Sequence, residues 1–192
     1  MNLGELQQAS RMGPDTALTD SGNNITGLID LINYVDVTDK VMCEIGCYIG
    51  VSTETFLQFK PKKFYAVDIW GMNDAYIDAQ WAIGNRTWAT IEEQFRQMTS
   101  NYSNVEVIKD FSVSAADKIE PESLDLVYID GEHTYEAISE DIAAWTPKVK
   151  PGGWVCGHDY GFENIRRGVQ EAFSGKEIIG PFVDTSWAVQ LN

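Results

Sequence analysis

The sequence predicts an α/β domain built on a mostly parallel seven-stranded sheet, with helices on both faces and an antiparallel hairpin at one edge. Short runs rich in Val, Ile, Tyr and Phe alternate along the chain with segments of helical periodicity, which is the signature of parallel strands joined by crossovers. Several of these runs are apolar at consecutive positions, as strands covered on both faces require. With 192 residues, 44% of them hydrophobic, the chain is large enough for one core and too small to need two.

Residues 1–24 are polar and lack periodicity, so they read as an arm or a cap outside the domain that fills 25–192. Behind the N-cap candidate Asn24, the residues Ile25, Leu28, Ile29, Leu31 and Ile32 recur at helical spacing and predict a helix to Tyr34. Strands follow at VMCEI (41–45), FYAVDI (64–69), VEVIK (105–109), LDLVYID (124–130) and GWVCGH (153–158). Helices are expected near 53–59, 88–100, 113–119, 135–146 and 162–173. The tail supplies two more strands, EIIGPF and SWAVQL, spaced closely enough to form the edge hairpin. One stretch, 70–87, breaks the alternation; its aromatics argue against disorder and suggest either part of a substrate pocket or lid or a structural insertion, with Trp70, Tyr76, Trp81 and Trp88 available to stack on a ring or to join the core.

Composition narrows the functional classes. The cysteines Cys43, Cys47 and Cys156 are odd in number and form no CxxC pair, so neither a disulfide framework nor a zinc knuckle is expected. Reduced thiols and the lack of an apolar leader or spanning segment point to a cytoplasmic protein with no membrane partner. With 29 acidic against 14 basic residues the net charge is −15, which opposes contact with phosphate backbones and argues against nucleic acid as partner. A small-molecule acceptor is the expected partner, and a homo-oligomer stays open.

The first strand runs into Glu44-Ile45-Gly46-Cys47-Tyr48-Ile49-Gly50-Val51-Ser52-Thr53, where a strand turns into a helix. Glycine there permits positive φ and close approach of a ligand, and Ser52 or Thr53 can cap the helix. Asp68 ends the second strand 22 residues after Gly46, near the ~20 at which an acid in this topology meets ribose hydroxyls. The glycine spacing is not that of the dinucleotide G-x-G-x-x-G, which disfavours NAD. At the fourth strand's end stand Asp130-Gly131-Glu132-His133, and at the fifth's stand His158-Asp159. Both histidines of the chain therefore meet carboxylates at one end of the sheet, a candidate site for acid–base or metal chemistry.

From about residue 25 to 191 the chain resembles the class I S-adenosylmethionine-dependent methyltransferases, in particular the small O-methyltransferase branch that includes macrolide-sugar and catechol O-methyltransferases. The residues that carry the resemblance are EIGCYIGVST, AVDIW, VIKDFSVSAADKI, LVYIDGEHTYEAISEDI and KVKPGGWVCGHDY, in that order. It implies a Rossmann-like fold and S-adenosylmethionine as cofactor. Glu44, Gly46 and Gly50, with their neighbours Cys47, Tyr48 and Ser52, would line its methionine and ribose part. Asp68 with Ile69 would hold the ribose, Phe111 and Ser112 would border the adenine, and Asp130 would reach the cofactor as well. It further implies transfer of a methyl group to a hydroxyl of a sugar, glycoside or phenol.

Asp130, His158 and Asp159 are the expected ligands of a divalent ion, Mg²⁺ or, given the histidine, Mn²⁺. Asp130, Glu132, His133 and His158 are the candidate catalytic groups, with His133 or His158 as base if no metal takes part. A Rossmann-like binding or regulatory partner and an NAD-dependent oxidoreductase are the alternative readings.

Overall fold

The structure, a computed structural model, describes residues 24–71 and 86–192. The expected arm 1–23 and the centre of the irregular stretch, with Tyr76 and Trp81, lie outside the described residues. In chain order the elements are α1 (Asn24–Val35), β1 (Val41–Ile45), α2 (Val51–Gln58), β2 (Lys63–Asp68), α3 (Trp88–Thr99), β3 (Val105–Lys109), α4 (Ser112–Ala116), β4 (Leu124–Ile129), α5 (Tyr135–Trp145), β5 (Val149–Gly157), α6 (Glu163–Ala172) and β6 (Trp187–Gln190). Among the described residues no helix is long and apolar enough to cross a membrane.

The sheet order is β3-β2-β1-β4-β5-β6, parallel except for the β5–β6 pair. Alternation along β1 sends Cys43 and Ile45 to one face and Met42 to the other, so each face has its own core. Helices α4, α5 and α6 cover the first face with Ala115, Ile138, Ile142, Trp145, Ile165 and Val169. Leu31, Ile32, Phe56, Ile91 and Phe95 from α1, α2 and α3 cover the second. The central strands β1 and β4 are thus buried on both faces, which explains why apolar residues stand at consecutive positions in them.

The described sheet has six strands, not the expected seven. Of the tail segment EIIGPF, Ile179 alone forms a bridge, to Ala188. Gly180 follows at φ +105, and Pro181 has no N–H to donate, so the ladder stops there. The antiparallel partner of β6 is β5, with Trp154 opposite Gln190 and Gly157 opposite Trp187. β5 also starts earlier than expected, because the KPGG turn lies inside it at a register shift opposite Leu124–Leu126.

Chain order reverses between β1, which continues to β2 on one side, and β4 on its other side. At such a point the two adjacent crossovers leave on opposite faces, and a crevice opens beyond the carboxyl ends of the strands.

Candidate functional site

The crevice is a cleft of about 440 Å³, within the ordinary range for small-molecule sites. Its floor is the turn after β1. Gly46 sits at φ +85, and a Cβ there would come within 1.9 Å of the Asp130 carbonyl oxygen, so only glycine lets β1 and β4 close over this point. Tyr48 takes a left-handed φ of +50, which turns its N–H toward β2. That N–H donates to Asp68 Oδ2 at 2.8 Å, and the Trp70 N–H donates to Oδ1 at 2.8 Å. Each oxygen of Asp68 is thereby fixed in direction at the wall of the cleft, and the backbone N–H groups of Cys47 and Ile69 donate to the carboxyl as well. Burial pushes the Asp68 carboxyl above its usual range, against the pull of these backbone donors.

Glu44 stands behind the floor, fully buried. Its Oε2 accepts the Thr53 hydroxyl, and its Oε1 is a buried oxygen with no hydrogen-bond partner. Burial raises its pKa to about 7, with Ser52 and Thr53 opposing and Asp130 adding to the rise. Cys47 is also behind the wall, its thiol against the carbonyls of Glu44 and Val67. Gly50, at φ +92, caps the start of α2, and a Cβ there would strike Met98 and Phe95 of α3. Of the expected cofactor residues, therefore, Gly46, Tyr48, Asp68, Ile69, Phe111, Ser112 and Asp130 line the cleft. Glu44, Cys47, Gly50 and Ser52 shape it from the second layer. Trp88 lines the cleft as well, whereas Trp70 is buried core against Phe95.

One end of the cleft is formed by Asp110, Phe111, Ser112 and Val113 after β3 and by Ala137 and Asp141 of α5. Phe111 and Val113 are exposed apolar side chains there, 42% and 46%, able to cover a planar ring. Asp110 turns to its own loop and accepts from the Phe111 N–H and from Lys118, which hold it below the usual carboxylate range.

Beyond β4 and β5 stand the remaining groups. Asp159 sits at φ +61 and accepts from His133 Nε2 on Oδ2 at 2.7 Å, while His158 Nδ1 lies 3.1 Å from Oδ1. Burial works to raise the Asp159 pKa, but these two hydrogen bonds hold it well below the carboxylate range. His158 is also 3.7 Å from Asp130 Oδ1. Burial would lower its pKa, yet Asp130 and Asp159 prevail and hold it at about 9. Asp130 is pushed up to about 6 by burial, against His158. His133 is raised by its bond to Asp159 and stacks on Phe162 at 5.5 Å and 24°. Glu132 is exposed at the rim of the cleft.

Ligand atoms of Asp130, His133 and Asp159 lie within 4.8 Å of one another. The histidine in this group is His133 rather than the expected His158, which turns its Nδ1 to the far carboxylate oxygens as a cationic partner. The sequence reading also missed Asp141. Its signal was there: Ile138, Asp141, Ile142 and Trp145 follow helical spacing, so an acid sits on the buried face of α5.

Residues 43–160, more than half of the chain, match the family described as Methyltransferase domain. The chain belongs to this family. In sequence the methyltransferase domain is similar to the uncharacterised protein R132 of Acanthamoeba polyphaga mimivirus, 28% identical over 142 residues, 69% of this chain and 57% of that protein. It is similar also to the uncharacterised protein y4gI of Sinorhizobium fredii, 42% identical over 45 residues, 23% of this chain and 5% of that one. The chain thus spans little more than half of one curated relative and a small part of the other.

Among solved structures it resembles a candidate S-adenosylmethionine-dependent methyltransferase of Methanococcus maripaludis, with TM-score 0.62, 12% identity, and coverage of 98% of this chain and 90% of that one. A precorrin 8w decarboxylase of Methanobacterium thermoautotrophicum gives 0.58 at 14% identity, over 85% and 87% of the two chains. Phosphoethanolamine N-methyltransferase 1 of Haemonchus contortus, solved with phosphoethanolamine and S-adenosylhomocysteine, gives 0.56 at 12% identity, over 81% of this chain and 31% of that one. At these identities the likeness is one of fold: a Rossmann-like methyltransferase fold on a mixed six-stranded sheet.

Proposed function

We propose that the methyltransferase domain transfers a methyl group from S-adenosylmethionine to a hydroxyl of a small molecule, a sugar, glycoside or phenol. The observation that carries this reading is the adjacency of two sites at one sheet end: the Gly46–Asp68 cradle and the array of Asp130, His133, His158 and Asp159. The residues fit the cofactor. Asp68 lines the cleft at the end of β2 with its carboxyl oriented by backbone donors, where a ribose diol would meet it, and Gly46 leaves the floor bare.

In methyl transfer the bond from sulfonium sulfur to carbon breaks as the bond from acceptor oxygen to carbon forms. The sulfur leaves as a neutral thioether, and the acceptor loses its hydroxyl proton. The domain's task is alignment of the acceptor and removal of that proton. On this reading Glu132, exposed in the lining of the cleft that Asp130 shares, receives it.

Asp130, His133 and Asp159 form a mixed oxygen and nitrogen donor set that fits a divalent cation, Mn²⁺ or another transition ion as well as Mg²⁺. Bound there, the ion would lower the pKa of the acceptor hydroxyl. A second reading is favoured by the 2.7 Å bond between His133 and Asp159: without an ion, His133 acts as general base with Asp159 orienting its ring.

Incubation with S-adenosylmethionine labelled in the methyl group and with pooled hydroxyl metabolites, followed by mass spectrometry, tests the activity. A labelled O-methyl product supports it, and label confined to amines would replace hydroxyl by nitrogen as acceptor.

A further inference from the structure

We propose that Asp141 reads the amino edge of the cofactor's base, accepting a hydrogen bond from the exocyclic amine of adenine at the α5 end of the cleft. The inference rests on the cofactor assignment above and adds a residue and a selectivity to it.

Asp141 is 6% exposed, on the buried face of α5, and its carboxyl lines the cleft. A Cβ on Gly131 would lie 3.5 Å from Asp141 Oδ2, so this oxygen faces the glycine that follows Asp130 across the cleft floor. The Ser112 hydroxyl hydrogen-bonds the carboxyl. That hydroxyl also accepts the Trp145 indole N–H at 2.9 Å, so its single proton is left for Asp141. An acid in such a position is costly to bury: desolvation pushes it up to about 6, with Ser112 opposing and Glu140 and Glu132 adding to the rise. One hydroxyl cannot satisfy the lone pairs of a carboxylate, and a ligand N–H in the cleft that Asp141 lines would take one of the rest.

The neighbours define which N–H. Phe111 and Val113 offer exposed apolar surface to a flat ring, and Asp68, at the end of β2, takes the sugar side. Of the other acids that line the cleft near this end, Asp110 is already engaged with Lys118 and its own loop, and Glu140 is the residue before Asp141 on α5 but lies off the buried face of that helix. A purine held between these groups turns its six-position edge to Asp141. Adenine presents a donor there, whereas hypoxanthine presents a carbonyl, which sets acceptor against acceptor.

The test compares S-adenosylhomocysteine with S-inosylhomocysteine by calorimetry on the wild type and on Asp141→Asn. The wild type should prefer the adenine ligand by about tenfold or more, since a site built to accept a hydrogen bond rejects an analogue that cannot donate one. The amide of Asp141→Asn both donates and accepts, so it should bind S-adenosylhomocysteine and shrink the preference to about threefold or less. Ser112→Ala, which removes the hydroxyl but not the carboxyl, should retain the preference. Equal binding of the two ligands by the wild type, or an unchanged preference in Asp141→Asn, would overturn the role of Asp141 while leaving the cofactor assignment standing. Failure of the wild type to bind either ligand would overturn both.

Discussion

His133 Nε2 lies 2.7 Å from Asp159 Oδ2, which ties the loop after β4 to the end of β5. The same two side chains serve both proposed mechanisms, as ligands of an ion or as a base and its orienting carboxylate. If Asp130, His133 and Asp159 hold a divalent cation, chelation with EDTA should abolish turnover and leave S-adenosylhomocysteine affinity intact. Asp159→Ala should behave as the chelated wild type does. Full turnover in EDTA would establish instead the metal-free mechanism with a histidine base.

Glu132 offers a separate test of proton removal. Glu132→Gln keeps the shape of the rim; if Glu132 is the base, kcat should fall by roughly 10²- to 10⁴-fold, while cofactor affinity and Tm stay near the wild type. Steady-state kinetics beside a thermal melt checks this. An unchanged kcat would remove Glu132 from the reaction.

Gly46 is the position least tolerant of a side chain. Gly46→Ala forces a Cβ into the Asp130 carbonyl at a left-handed φ, a clash with rigid backbone rather than with a movable side chain. Strain of this kind costs on the order of 1–3 kcal/mol. The expected result is a lower Tm together with weakened S-adenosylhomocysteine binding, read by thermal shift with and without ligand.

Glu44 makes the stability depend on pH. Its pKa is about 7 in the folded protein, above the ordinary 4.5. Below pH 4.5 the group is protonated in both states and has no effect. Between 4.5 and 7 the unfolded chain ionises first, so folding loses stability as pH rises, and above 7 the loss is constant. Glu44→Gln removes this slope. The variant's stability relative to wild type should rise by about 3 kcal/mol from pH 4 to pH 8, measured by urea denaturation. A difference that does not change with pH would contradict the shifted carboxyl.

Much of this arrangement was legible in the residues. β1 and β3 follow from short runs rich in Val and Ile, and Gly46 and Asp68 from position at strand ends. Three features were not. EIIGPF reads as a strand by composition, yet Gly180 and Pro181 end its pairing after Ile179. That His133 as well as His158 meets the carboxylates of this cluster depends on how the loop after β4 folds back, and spacing does not carry that. Glu44, Cys47 and Gly50 lie in the right motif, but whether a motif residue faces the cleft or the layer behind it is set by packing against α2 and α3.

The most direct test is calorimetric titration of the full chain and of Asp68→Ala with S-adenosylhomocysteine. Asp68 lines the cleft, and backbone donors aim both of its oxygens, so under the proposed assignment its loss would remove charge-assisted hydrogen bonds to the ribose. Expected is one-to-one micromolar binding by the wild type and a loss of roughly 1.5–3 kcal/mol in Asp68→Ala. Unchanged affinity in Asp68→Ala would place the cofactor elsewhere, and no binding by the wild type, with NAD bound instead, would contradict the methyl-donor assignment.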